Sequence, residues 1–511
     1  MEFDSEPSFS GDNRQKRKNS QDVEIDNSKQ VLKKIATLYA EKLMNDICLV
    51  VDGIEYPAHR LILCTSSEVF QVMLMNPQWC ESQESRIVLQ ETPQCAAIFP
   101  EFLRYFYTGQ IRISLSTIMG ILMLADKYDV KDLTSLCIEY MYHHIAEAAV
   151  HDQIVTWYQY TLSLAHYQLS PACRNFIKWN FELVAYTNDF CNFHPDVLAV
   201  LLQQSDLVVQ SEMALFDFVI KWLKVQEEHL MEAYANEAEV ENQIVALLNE
   251  VMSNIRFPMM DRGQLANLLL FPQVMKYKDF FVEKMRVGVE FHQGEDTDQI
   301  LELLNSENGK LMFTPRLYTA DQWSSSIVIN NFSTLPSYNP RTLVCTSPPT
   351  LRESVLEQNC EWIIDLYPKG LCFQRCYLIV WQGTVTIPEV VMRTVRLSIT
   401  CRDPPAQGSY LVKIGILVSG ITCNVENVVE VVYCVHKFSA DDNIFNINDL
   451  LSYHKLNDRF NNLCPRFGEG ISEAPYLIGA ERDTLKLQIV IIPLCPRLSQ
   501  IEEPYNSSFK Y

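Results

Sequence analysis

The sequence predicts a multidomain α+β chain: an N-terminal α/β domain, an all-helical middle and a C-terminal antiparallel β-sandwich. Three observations predict it. The apolar run Ile47–Val51 meets Asp52-Gly53 and then a second alternating segment, a short-hairpin signal because both turn positions need positive φ. From 147 to 292 apolar residues recur at helical spacing. From 313 onward the period becomes two, in short β-branched runs set between Pro, Gly, Asn and Ser. A length of 511 residues suits about three domains of roughly 150 residues each.

Composition narrows the function classes. The 42 basic and 63 acidic residues give −21, a charge that repels phosphate backbones and argues against nucleic-acid binding by the bulk surface. No run of about 18 apolar residues exists to span a bilayer. The polar start, MEFDSEPSFSGDNRQKRKNSQ, has no apolar h-region, so no secretory signal is expected. The 16 cysteines are scattered without a CxxC and read as reduced, largely buried thiols of a cytoplasmic protein. Arg14–Lys18 (RQKRK) is a small basic cluster; a nuclear localisation signal is one reading, and a solvated tail with acidic flanks is the plainer one.

The elements follow in order. Residues 1–27 hold too little apolar surface to offset ordering entropy and are expected to be a disordered tail. Val31, Leu32, Ile35, Leu38, Tyr39 and Leu43 place an amphipathic helix over 28–44, with Asn27 or Ser28 as N-cap. After the hairpin come Pro57-Ala-His59-Arg60, an apolar helical stretch, a helix over Glu68–Met75 and a strand over Arg86–Gln90. Cys95–Tyr107 forms a helix closed by Thr108-Gly109, and Ile118–Tyr128 and Val130–His144 form two more. Apolar stripes mark helices at 153–167, 171–185, 195–204 and 211–228. In the last, Ser211 and Glu212 open the helix while Leu215, Phe216, Val219, Ile220, Trp222 and Leu223 fill its inner side. The acidic stretch 226–243 reads as a solvated helix or loop, and GEDTDQ with NSENGK reads as a linker over 293–312. Strands are expected near 326–330, 341–345, 361–366, 375–380, 394–401, 412–418, 428–435 and 486–492, with a tail over 498–511. Within the third, Trp362, Ile364 and Leu366 alternate, so they point into the sandwich, and Tyr367–Gly370 is the turn.

These residues also carry resemblances. Strand, hairpin, AHR, helix and SSEVF in succession resemble the opening of a BTB/POZ domain, and RYFYTGQI and LADKYDVKDL resemble later signatures of that family, which spans 28–146 here. LLQQSDLVVQSEMALFDFVIKWL is similar to the BACK domain, spanning 147–292, and WIIDLYPKG resembles a strand and turn of TRAF-like (MATH) domains, spanning 313–497. That order resembles the BTB/POZ domain-containing protein 17 group, whose first two domains are similar to those of galectin-3-binding protein. The secreted relatives carry a signal sequence and a scavenger-receptor cysteine domain that this sequence lacks, so their extracellular role is not expected to carry over.

The resemblance implies specific site residues. Asp46 and Arg60 occupy a charged pocket near the BTB dimer interface, where a partly buried acid and base fix register while adding little net stability. The alternative is that each satisfies backbone groups within one subunit. Trp79-Cys80-Glu81 sits where cullin-3-binding BTB domains carry an apolar-x-Glu motif: Trp79 would insert into an apolar groove on the cullin, and Glu81 would orient the loop or pair with a base. Tyr128 is a further candidate for that surface. The alternative is that Trp79 packs into its own core.

Catalysis is not expected, nor is a cofactor. Cys372 and Cys376 have the wrong spacing for a redox pair, and His59 reads as a satisfied helix-start histidine. His143 and His144, adjacent on a helix, point about 100° apart and do not readily share a metal, with each other or with His151. No P-loop, GxGxxG, GxSxG or HExxH occurs. The resemblance therefore implies a substrate adaptor of a cullin-3 RING ubiquitin ligase, dimeric through its BTB domain and capturing an extended peptide of an unnamed protein with its sandwich. The alternatives are a dimeric scaffold that does not bind cullin and a BTB transcription regulator, the last disfavoured by the acidic charge and the lack of zinc-finger spacing.

Overall fold

Asp52 and Gly53 make the first hairpin turn of the fold, at φ of 50° and 76°. The structure, a computed structural model, describes residues 26–495 apart from 235 and the segments 295–296, 337–338, 353–358, 371–376, 381–382, 387–393, 406–407, 453–455 and 457–475. The tails expected over 1–27 and 498–511 fall outside the described residues, except Asp26 and Asn27, as do Cys372 and Cys376. Two compact units form, Met1–Cys137 and Ile138–Tyr511.

In the first unit, β1 (Ile47–Val51) pairs antiparallel with β2 (Ile54–Ala58) across that turn and parallel with β3 (Arg86–Leu89), giving the order β2-β1-β3. Helix α1 (Ser28–Ala40) precedes the sheet; α2 (Arg60–Ser66), α3 (Glu68–Met75), α4 (Pro93–Thr108) and α5 (Leu115–Lys127) complete the packing. Local chemistry sets their ends. Ser67 accepts the Phe70 amide at 3.0 Å to start α3, and Gly109 at φ 63° stops α4, a left-handed cap that glycine adopts without a Cβ penalty. Phe99, Phe102 and Leu103 of α4 are buried, each contributing about 1.5–3 kcal/mol on burial. Helices α4 and α5 approach closely at Gly120, where a Cβ would lie 2.5 Å from Ile98 Cδ1.

The second unit begins within α6 (Lys131–His143) and continues through α7 (Ile145–Val150), α8 (Ile154–Ser163), α9 (Leu169–Trp179), α10 (Phe181–Ala185) and α11 (Pro195–Gln203). A two-residue strand β4 (Val208–Val209) leads into α12 (Glu212–Ala233), capped by Ser211, whose hydroxyl accepts the Ala214 amide at 3.2 Å. The six apolar residues expected on the inner side of α12 are all buried, and the Trp222 indole donates to the Phe193 carbonyl at 3.1 Å. Helices α13 (Glu237–Glu250), α14 (Arg262–Asn267), α15 (Pro272–Lys276) and α16 (Lys278–Gln293) follow.

The linker expected over 293–312 is instead mostly helical: α17 (Asp298–Asn305) and α18 (Glu307–Met312) bury Ile300 and Leu304 against Val287, Phe291 and Phe313. The polar residues that suggested a linker are caps. Thr297 accepts the Ile300 amide at 3.4 Å and Ser306 the Gly309 amide at 3.1 Å. In short helices the caps form much of the sequence and hide the apolar period.

The sandwich follows β5 (Leu317–Tyr318). Its strands are β6 (Ser324–Ile329), β7 (Arg341–Ser347), β8 (Cys360–Tyr367), β11 (Thr394–Cys401), β12 (Tyr410–Thr422), β13 (Val425–Phe438), β14 (Ile444–Ser452) and β15 (Leu485–Pro493), with β9 (Tyr377–Val380) and β10 (Gly383–Thr386) pairing apart. One antiparallel sheet runs β14-β11-β8-β7 and the other β13-β12-β15-β6. Trp362, Ile364 and Leu366 point into the core between them, joining residues of both sheets in one cluster. The Trp362 ring meets Phe438 edge-on at 5.0 Å, and its N–H donates to Ser347 Oγ at 2.9 Å. Strand β14 escapes the sequence pattern because Asn446, Asn448 and Asp449 interrupt its apolar alternation.

Candidate protein-interaction site

In the first unit, the surface nearest the expected motif is apolar and open. Val69, Val72 and Met75 lie three residues apart along α3 and are exposed, and Trp79 follows at 49% exposure. Trp79 is the residue before a one-turn 3-10 helix, Cys80–Ser82; its amide donates to Asn76 O at 3.1 Å and its carbonyl accepts the Ser82 hydroxyl at 2.8 Å. The backbone is thus fixed while the indole remains half in solvent, which rules out the alternative that Trp79 packs into its own core. The Glu81 carboxylate is held by its own amide and by the Cys80 thiol (3.2 Å), which together keep it below the usual carboxylate range.

Tyr128 does not join that surface. It is 2% exposed, stacks on Phe70 with centroids 4.6 Å apart, and donates to Glu91 Oε1 at 2.5 Å. Burial, then the Glu91 carboxylate, push its phenol well above the usual tyrosine range. Its place in ADKY is that of a core residue with a satisfied hydroxyl.

Asp46 and Arg60 meet, but not as an ion pair. Asp46 Oδ1 accepts the Arg60 amide at 2.8 Å, satisfying a donor at the start of α2. The Arg60 guanidinium instead donates to the carbonyls of Leu74 (3.4 Å), Ser82 (3.2 Å) and Glu84. Both residues thus serve backbone groups, and Arg60 clamps the end of α3 to the loop that carries Trp79. His59 is satisfied too: Nε2 donates to Leu43 O at 2.7 Å, so Nδ1 accepts from the Tyr107 hydroxyl at 3.0 Å. Apolar residues remain uncovered on α1, where Val31 and Leu32 are exposed.

In the second unit, sequence reasoning missed a fully buried polar cluster. Glu212 opens α12 and reads locally as a first-turn acid, favourable near a helix N-terminus. Its carboxylate is fully enclosed: Arg316 Nε donates to Oε2 at 3.0 Å, the Tyr318 hydroxyl donates to the same oxygen at 2.7 Å, and the Arg256 amide donates to Oε1 at 2.7 Å. The remaining donors of Arg316 reach the carbonyls of Leu202, Gln204 (2.9 Å) and Asn254 (2.9 Å). Burial pushes the Glu212 carboxyl up, but Arg316 and Arg256 outweigh it and leave the group below its ordinary value. Beside this cluster β4 pairs parallel with β5, Val208 opposite Leu317.

Strand β12 is therefore covered twice. Val412, Ile414, Ile416 and Val418 face the sandwich core. On its other face Lys413 is buried and donates to the carbonyls of Ser205 (2.9 Å) and Pro315 (3.1 Å), and a Cβ at Gly415 would stand 2.6 Å from Leu317 Cδ2. The Asn180 side chain adds a third joint, accepting the Val428 amide at 2.7 Å and donating to the Val428 carbonyl at 3.0 Å. Helices and sandwich form a single packed body. Among the sandwich edges, β13 is met by α7 and α9, whereas Thr342, Val344 and Thr346 of the edge strand β7 are exposed.

Comparison with known proteins agrees with this architecture. The BTB/POZ domain matches residues 36–145, the "BTB And C-terminal Kelch" (BACK) domain residues 154–270, and the BTBD17 TRAF domain residues 313–495. The chain is a BTB/POZ–BACK protein with a C-terminal TRAF-like domain, an architecture of non-enzymatic interaction proteins. It resembles the BTB/POZ domain-containing protein 17 group. The Xenopus laevis member is 31% identical over 288 residues, 56% of this chain and 55% of that protein, and the human member 30% identical over 314 residues, 60% of each. Bovine galectin-3-binding protein is 29% identical over 299 residues, 57% of this chain and 47% of that protein. The matched region spans between 47% and 60% of the length of these relatives. The solved BTB domain of human gigaxonin is 27% identical, covering 24% of this chain and 98% of its own, with a TM-score of 0.20. No helix among the described residues is long and apolar enough to cross a membrane.

Proposed function

We propose that this protein is a cytoplasmic substrate adaptor of a cullin-3 RING ubiquitin ligase, dimeric through its BTB domain. The observation that carries the proposal is Trp79, a half-exposed indole on a fixed turn, continuing the exposed apolar stripe of α3. An exposed aromatic adjoining an apolar stripe is the kind of residue that supplies much of an interface's energy. Glu81 is held locally and shapes the turn. The uncovered Val31 and Leu32 of α1 are the surface for a second copy of the chain, while Asp46 holds the start of α2 and Arg60 the loop that carries Trp79.

The sandwich captures substrate in this proposal. The exposed edge β7 accepts an extended peptide as an added strand, main-chain bonds giving affinity and side-chain pockets giving specificity. The packed junction with the helical region holds that edge at a fixed place on its body. The deciding experiment is co-purification of the full-length protein with cullin-3. Wild type should retain cullin-3 and Trp79→Ala should lose it; retention by Trp79→Ala at wild-type strength refutes Trp79 as the anchor, and a wild type that does not retain cullin-3 leaves the dimeric scaffold that does not bind cullin.

A further inference from the structure

We propose that His144, Glu147 and Cys423 form a zinc site that pins the β12–β13 hairpin to α7. One ring nitrogen of His144, a carboxylate oxygen of Glu147 and Cys423 Sγ all lie within 4.8 Å of one another. The histidine and glutamate come from the start of the helical region, the cysteine from the hairpin tip of the sandwich, 280 residues from the His143 carbonyl to which its thiol donates at 3.0 Å. Bonds of about 2.0–2.3 Å place tetrahedral zinc ligands roughly 3.3–3.8 Å apart, so small side-chain rotations close the set. One imidazole, one carboxylate and one thiolate is a zinc donor set with a fourth position for water; calcium and magnesium require oxygen ligands.

Two further observations point to a ligand. The His144 ring is already oriented: Nδ1 donates to the Tyr140 carbonyl at 2.7 Å, and the ring stacks on Tyr140 with centroids 3.9 Å apart. A carbonyl bonded to one ring nitrogen fixes the tautomer and leaves Nε2 with its lone pair, the outer-shell arrangement of metal-bound histidines. The hairpin tip, in turn, holds Cys423 and Asn424 at φ of 50° and 63°. Two-residue turns of this shape favour Asn-Gly or Asp-Gly; a cysteine at the first position is strained and adds nothing to the turn. It does aim a thiol at α7. On loading, the thiol gives up its proton to solvent and the sulfur exchanges its hydrogen bond for the metal.

The test uses the full-length protein stripped of metal and titrated with zinc by calorimetry, with a chromogenic chelator as competitor. Wild type should take one equivalent, and its melting temperature should rise with zinc. Cys423→Ser should bind roughly 100-fold more weakly or worse, beyond the roughly 10–100-fold that outer-shell changes cost, and its melting temperature should not respond. Cobalt in place of zinc should show a thiolate charge-transfer band in wild type that Cys423→Ser loses. His144→Gln and Glu147→Gln should weaken zinc in the same way and decide the question if Cys423→Ser does not fold. Wild type without stoichiometric zinc, or all three variants binding as wild type, overturns the proposal.

Discussion

Arg316 reaches Glu212 at 3.0 Å across 104 residues of sequence, with neither side chain exposed to solvent. The pair joins the first residue of a BACK helix to the segment that leads into the sandwich. Two charges buried together gain little net stability, because desolvation offsets their attraction, but removing one partner leaves the other uncompensated. Arg316→Ala should therefore cost about 3–5 kcal/mol in chemical denaturation of the full-length protein. Arg316→Lys should recover little of it, since an ammonium cannot reach Glu212 and three carbonyls at once. A loss below about 1 kcal/mol for both variants would show that the junction relaxes around the cavity.

The same carboxylate makes the second unit sensitive to acid. Glu212 lies below its ordinary value of 4.5 when folded and returns to that value on unfolding. The sign follows from linkage: its contribution is fully present above the unfolded value and is lost as pH falls through the lower folded value. The melting temperature should drop on acidification below about 4.5, and Glu212→Gln, destabilised at neutral pH, should flatten that part of the profile. Profiles of the same slope in wild type and variant would contradict the linkage.

Trp79→Ala separates an interface residue from a core residue. Truncating an aromatic hot spot costs about 2 kcal/mol or more, roughly thirtyfold in affinity. Cullin-3 binding, measured by calorimetry, should weaken more than about tenfold while the melting temperature stays at wild type, because the indole is half in solvent. Glu81→Lys should also weaken binding by unfastening the turn.

Tyr128→Phe should do the reverse. Loss of its hydroxyl leaves Glu91, a nearly buried side chain, with the Lys127 ammonium at 2.9 Å. A stability loss of about 1–2 kcal/mol with unchanged cullin affinity is expected. Weaker cullin binding at unchanged stability would return Tyr128 to the surface motif.

Substrate capture is better tested by point changes on β7 than by deleting the sandwich, because deletion removes Arg316 and strands Glu212 in the BACK core. Val344→Lys with Thr346→Lys changes exposed positions only, so stability should stay within about 0.5 kcal/mol. Pull-down of a ubiquitination substrate should fall while cullin-3 retention stays constant. Capture that survives the double change places the peptide elsewhere.

What the sequence determined by itself was local. The Asp-Gly turn, the Ser211 cap, the inward face of α12 and the alternation of Trp362, Ile364 and Leu366 each rest on a backbone preference or a period, legible within a few residues. The tertiary structure decided the rest. Glu212 has the local pattern of any first-turn acid, and only residues far along the chain make it a buried ion. Asp46 and Arg60 stand at the expected spacing, yet competition among nearby carbonyls and amides settled which atoms meet. Tyr128 sits in a surface-like motif, and the space beside Phe70 draws it inward. The alternation of β12 was readable, but its second covered face was not, because that face depends on helices folded from sequence far upstream. Propensity and periodicity are short-range quantities; burial and partner choice are set by contacts that close loops from 14 residues (Asp46 to Arg60) to 208 (Ser205 to Lys413), and those leave no repeating mark in the sequence.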